Sequence, residues 1–408
     1  MTPSLVVVGR GGAALRRATA SSAEQSVNET PTLPSLLRQP RQEAIWAIAR
    51  PAMAIGFLRT LYGITDAVWI GRLGSVELEA MGAVTFASWM ILVLGGVAGT
   101  GVHAAASFHE GAGERHRVGA TVCDGLWLSG VLSLALISAA SPLLGCYFNL
   151  LGLSDPGSGA VRAAGEQYLR WTVAGAFPMA AAGAVASGFK GIGLLRPALA
   201  ATATSVAFNA IVDPLLIWGC PQLGIPRLGV AGAAIATNLS SLLALVVLTR
   251  RLASPPLGTN LRLFDGGGGG GGGSERRNKQ QPLSPPRPPP PATSGHFRWR
   301  LPLAPPRPRE ILRIAAIGSP MAASGLLFSA VYVLLGRLLL AQPGGASNLG
   351  ALGLGQRLES VQYTVNEAFG AAAATLVGQW LGAGEQREAR GAAADVARLS
   401  ALVNVVRA

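Results

Sequence analysis

From about residue 44 the chain is a succession of apolar stretches, each close to the roughly 20 residues a helix needs to cross a bilayer, parted by short polar turns. Six come before a long interruption, near 44–70, 80–107, 118–145, 167–189, 197–219 and 229–250. The sixth contains VAGAAIATNLSSLLALVVLT, which carries no charge at all. Two more follow near 311–341 and 350–380, and a ninth begins near Arg390 and runs to Ala408. The interruption holds eight consecutive glycines (Gly266 to Gly273), a basic run at Arg276, Arg277 and Lys279, and prolines from Pro285 to Pro291, a composition that cannot pack a core. The pattern predicts an all-α polytopic membrane protein in four parts. These are an N-terminal targeting or disordered segment (1–43), a six-helix bundle (44–253), a low-complexity linker (254–309) and the start of a second bundle (310–408).

A repeat supports that division. Ala80-Met81-Gly82 and Gly111-Ala112-Gly113-Glu114 recur as Ala351-Leu352-Gly353 and Gly382-Ala383-Gly384-Glu385, both displaced by 271 positions, and Pro51 matches Pro320 at 269. The repeating unit is therefore the six-helix bundle. Six is even, so both copies enter the membrane from the same side, giving a parallel pseudo-repeat about an axis along the membrane normal, an arrangement common in secondary transporters. With about nine spans present, the second bundle is expected to be incomplete.

Composition narrows the reading further. The 408 residues are 50% hydrophobic and only 13% charged, with mean hydropathy of +0.40, too apolar for a soluble multi-domain enzyme. No covalent chemistry is expected. The net charge of +13 is not read as a nucleic-acid footprint, because its short-loop share sorts by side. With the N-terminus inside, the inner loops hold Arg115, Arg117, Lys190, Arg196, Arg250 and Arg251, and the outer loops hold Arg72, Arg162 and Arg227. Cys123, Cys146 and Cys220 lack metal-ligand spacing, as do the four histidines, so neither a metal nor a cofactor is expected. The first 23 residues carry Arg10, Arg16 and Arg17 with Ser and Thr and no acid, as an organellar transit peptide does. Gly9-x-Gly11-x-x-Ala14 mimics a dinucleotide fingerprint, but no βαβ pattern follows it.

An acid inside a span is expensive in lipid and marks a functional site. Asp66 lies five residues before Gly71 at the outer end of the first span, and Asp213 five before Trp218 at the outer end of the fifth. At about 1.5 Å per residue the two carboxyls share one depth, roughly 8 Å below the helix ends. Tyr62 and Asn209 stand one turn below them, and Thr237 returns a hydroxyl to that level from the sixth span. Such a nest can take up a proton or hold Na⁺ on oxygen ligands, giving two states that differ by occupancy. The competing structural readings are that Asp213 tidies backbone groups freed by Pro214, and that Asp66 pairs with Arg59. In the second bundle Leu335 stands at the position of Asp66, while Glu359 and Glu367 are the candidate acids. Trp69, Trp218 and Trp380 read as interfacial anchors.

These residues resemble the multidrug and toxic compound extrusion (MATE) family, called DETOXIFICATION proteins in plants. The match is carried by NAIVDPLLIWG (Asn209 to Gly219) with LGVAGAAIAT (Leu228 to Thr237), and by TDAVWIGRLG (Thr65 to Gly74). GFKGIGLLRPAL (Gly188 to Leu199) and LVGQWLGAGE (Leu376 to Glu385) add to it. The resemblance covers residues 44 to about 400. It implies twelve helices in two bundles that alternate access and exchange H⁺ or Na⁺ for small organic solutes, with the bilayer as surroundings. In the DinF-like subgroup the coupling acids lie in the first bundle, matching Asp66 and Asp213. Asn209 and Thr237 also match polar pocket residues, whereas the fourth span lacks the asparagine some members have. Against the implied twelve helices, spans ten to twelve are missing. Two alternatives accompany this reading: a lipid or lipid-precursor flippase using Arg59 and Arg357, and a non-transporting fragment. If the N-terminal segment is a transit peptide, the expected location is the chloroplast envelope.

Overall fold

The computed structural model describes residues 33–153, 158–253 and 305–405. The transit-peptide segment, the Gly9 motif and the linker through residue 304 lie outside the described residues. Among the described residues ten α-helices follow one another: α1 (Arg41–Gly71), α2 (Ser75–Gly111), α3 (His116–Leu151), α4 (Gly159–Ala174), α5 (Ala176–Gly191), α6 (Arg196–Trp218), α7 (Val230–Ala253), α8 (Pro308–Leu340), α9 (Gly345–Gly382) and α10 (Gln386–Val405). Six of them, α1, α2, α3, α6, α7 and α8, are long and apolar enough to cross a membrane. The eighth expected span is present as α9, although its composition is more polar than theirs.

The fourth span departs from expectation. Instead of one helix over 167–189, it is two, α4 and α5, bent by 49°. Pro178 sits in the first turn of α5, where its ring would clash with the carbonyl four residues back, so the α4 ladder cannot run through Gly175. At the end of α4 the Trp171 carbonyl accepts twice, from the Gly175 N–H at 3.1 Å and from Asn238 Nδ2 of α7 at 2.7 Å, and a Cβ at position 175 would overlap that amide. Glycine is thus required at the bend by a residue 63 positions away.

Helix α2 is the axis of the molecule, packed against α3, α5, α8 and α9. Its contact with α9 is made by the repeated motifs themselves. Gly82 meets Leu349 and Gly350, while Gly353 meets the Gly82 backbone, with 2.8 Å separating its hypothetical Cβ from Gly82 Cα. At the other end Gly111 faces the Gln379 carbonyl and Gly382 faces the Phe108 carbonyl, both too close for any side chain. Small residues let helix backbones touch, the usual basis of helix association where lipid provides no hydrophobic drive. The symmetry extends outward, since α2 packs on α8 as α9 packs on α1. The GAGE repeats also end their helices identically. Glu114 N–H bonds to the His109 carbonyl at 2.8 Å and Glu385 N–H to that of Trp380 at 3.0 Å, over Gly113 and Gly384 at φ of 73° and 82°. This is a glycine-requiring C-terminal cap, present twice.

Candidate functional site

Helices α1, α6 and α7 pack side by side and hold Asp66 and Asp213 toward the C-terminal ends of α1 and α6. Asp66 is 5% exposed and Asp213 fully buried. The carboxyl of Asp66 reaches that of Asp213, so equal spacing from the two helix ends has translated into contact. Asp213 Oδ1 accepts from Asn209 Nδ2 at 3.2 Å, one turn down the same helix. That bond comes from a side chain, so Asp213 is not occupied with backbone groups freed at Pro214. Arg59 does not pair with Asp66 either. It turns to Glu367, with 3.8 Å between Nη1 and Oε1.

The remaining members gather around this pair. Tyr62 lies close to Thr237 and to both carboxyls. Asn209 Oδ1, Asp213 Oδ2 and Thr237 Oγ1 are buried without a hydrogen bond of full geometry among the described residues. Oxygen atoms in this state are suited to a small cation or a shared proton. Tyr168 of α4, itself buried, joins the group beside Tyr62 and was missed in the sequence, where a tyrosine flanked by Glu166, Gln167 and Arg170 reads as part of a polar helix start. Toward the C-terminal ends of α1 and α6, Trp69 and Trp218 meet edge to face at 5.1 Å, with Arg72 over Trp69. The pairing of these two tryptophans was not foreseen in the sequence.

The second-bundle acids stand apart. Glu367 is two-thirds exposed and bound to Arg59, and Glu359 accepts a 3.4 Å bond from the Tyr363 hydroxyl, so neither joins Asp66 and Asp213. One ion pair of a buried acid was not anticipated. Asp124 of α3, 2% exposed, accepts from Arg307 Nη2 at 2.5 Å, Nε at 2.9 Å and the backbone N–H at 3.3 Å. It ties the first bundle to the entry of α8. Its acid was visible inside the third span, but its partner fell in a stretch assigned to the linker. Among the described residues no group of three His, Cys, Asp or Glu side chains is arranged to hold a metal ion.

Two bundles that meet across their own repeat, with acids enclosed in one of them, define an integral membrane protein built as secondary carriers are built. The MatE family model matches residues 51–215 and 320–408, and the chain belongs to that family. Among its relatives is a probable multidrug resistance protein NorM from Thermotoga maritima. It is 23% identical over 354 residues, covering 86% of this chain and 65% of the relative. Protein DETOXIFICATION 44, chloroplastic, from Arabidopsis thaliana is 28% identical over 218 residues, covering 51% and 40% respectively. Among solved structures, a multidrug resistance MATE family transporter in an outward-facing conformation superposes with a TM-score of 0.69 at 21% identity. That match covers 93% of this chain and 74% of the other. The chain thus spans less than two thirds of the length of these two relatives.

Proposed function

We propose that this protein works as a cation-coupled antiporter that exports organic solutes by alternating access, with Asp66 and Asp213 as the coupling site. The observation that carries this reading is the contact between two enclosed carboxyls inside a membrane bundle. Two negative charges cannot share so small an apolar volume without a proton or a cation to offset one of them. Filling and emptying the site therefore changes the charge held between α1, α6 and α7, and only an occupant that distinguishes two conformations can drive transport. Asn209, Thr237 and Tyr62 supply the neutral oxygens that either occupant, H⁺ or Na⁺, would share. The engagement of Arg59 by Glu367 favours this reading over a flippase, which would need that guanidinium for a phosphate.

The test is flux through the full chain in proteoliposomes, driven in turn by a pH gradient and by a Na⁺ gradient. One gradient is expected to drive efflux of an organic dye in wild type, and Asp66→Asn and Asp213→Asn are each expected to abolish it. Wild-type rates in either amide variant would overturn the assignment. The target membrane we propose is the chloroplast envelope, supported by the composition of residues 1–43 and by likeness to one chloroplastic plant protein. A fluorescent reporter fused to residues 1–43 that stays cytosolic in plant cells would reject it.

A further inference from the structure

A cavity of about 680 Å³ opens at the inner end of α1, beside the turn that joins α5 to α6. Its lining is divided by chemistry. Gln42, Glu43, Arg50 and Arg196 are polar, while Trp46, Leu199 and the leucines of the turn form an apolar floor. Trp46 and Arg50 are one turn apart on α1, and the guanidinium carbon stands 5.6 Å from the indole centroid. Arg50 and Arg196 are both exposed, and neither makes an ion pair with an acid among the described residues. With Glu43 counted against the two arginines, the lining carries a net charge of +1. The first turn of α6 adds the positive end of a helix dipole, because Leu195 and Arg196 begin that helix.

The placement matters as much as the charge. The cavity lies on the side that the basic loops mark as inner, where a tryptophan sits at headgroup level and arginines extend to lipid phosphates. It is separate from the coupling site, since Arg50 precedes Asp66 by 16 residues, about 24 Å along α1. A soluble anion would use the arginines but leave the tryptophan and leucine floor uncovered. A diacyl lipid covers both.

We propose that this cavity binds an anionic phospholipid of the inner leaflet, its phosphate held by Arg50 and Arg196 and its glycerol and upper acyl chains resting on Trp46 and Leu199. The experiment delipidates the full chain in detergent and offers mixed micelles of phosphatidylglycerol and phosphatidylcholine. Retained lipid is then counted by mass spectrometry. Wild type is expected to retain phosphatidylglycerol preferentially, and the pair Arg50→Gln with Arg196→Gln to lose about tenfold of that preference. The pair Arg250→Gln with Arg251→Gln removes the same charge from the same side outside the cavity and is expected to leave the preference intact. Arg50→Lys with Arg196→Lys, which keeps both charges, is expected to retain most of it. Equal loss in the cavity and control pairs, no loss in the cavity pair, or a loss in the lysine pair as deep as in the glutamine pair would overturn the proposal. Displacement by soluble glycerol phosphate as effective as that by the diacyl lipid would overturn the lipid assignment.

Discussion

The two bundles share a packing pattern and differ in their chemistry. Where α1 encloses Asp66, the corresponding position of α8 is Leu335, 38% exposed, and where α1 carries Arg59 the repeat has Phe328. Rings fill the second-bundle side instead, with Phe328, Tyr332 and Tyr363 in mutual contact and Tyr332 stacked on Phe86 of the first. The glycines of the α2–α9 seam and the GAGE caps, in contrast, appear in both copies and play the same part in each. A repeat is held to its backbone contacts because both halves of one interface depend on them. Its polar groups are free to diverge, and under the proposed function an asymmetric site would let one bundle respond to a cation while the other does not.

The largest test of this contrast makes the first bundle resemble the second. Asp66→Leu is expected to eliminate cation-driven flux in proteoliposomes, and adding Leu335→Asp is expected not to restore it, because position 335 is 38% exposed where Asp66 is enclosed. Restoration would show that the bundles are interchangeable. Next in size, Gly382→Leu drives a side chain into the Phe108 carbonyl and is expected to destabilise the fold by about 3 kcal/mol or prevent its assembly. Thermal unfolding in detergent measures this, with Gly370→Ala, which meets nothing within 4 Å, as the neutral comparison. Third, Arg307→Gln leaves a buried Asp124 without its counter-charge and is expected to cost about 2 kcal/mol in the same assay. Smallest is Glu367→Gln. Its pair with Arg59 is more than half exposed on both sides, so unfolding is expected to shift by well under 1 kcal/mol and the coupling ratio to stay at the wild-type value.

Much of this was legible before any coordinates. Span length and hydropathy are local properties, so the spans could be read directly, except that the fourth was not seen to be broken into α4 and α5. The meeting of Asp66 with Asp213 could be foreseen because both acids lie five residues from a helix end on spans running the same way. What escaped depended on partners distant in sequence. The bend at Gly175 is completed by Asn238, Asp124 is claimed by Arg307 across the linker, and Arg59 is drawn from its own helix to Glu367 on α9. In each case the residue was visible and its partner was not. The contact between Trp69 and Trp218 is of the same kind, since each ring was visible at a helix end and their meeting was not.

The glycine seam also limits how the two halves can move. Backbones touch at Gly82 with Gly353 near one surface and at Gly111 with Gly382 near the other, so α2 and α9 are fastened at both ends like an axle in its bearings. Shifting one helix along the other would force bulkier neighbours onto a carbonyl, whereas a small rolling motion keeps every glycine opposite bare backbone. Whatever opens toward either surface in this molecule must therefore pivot about that line.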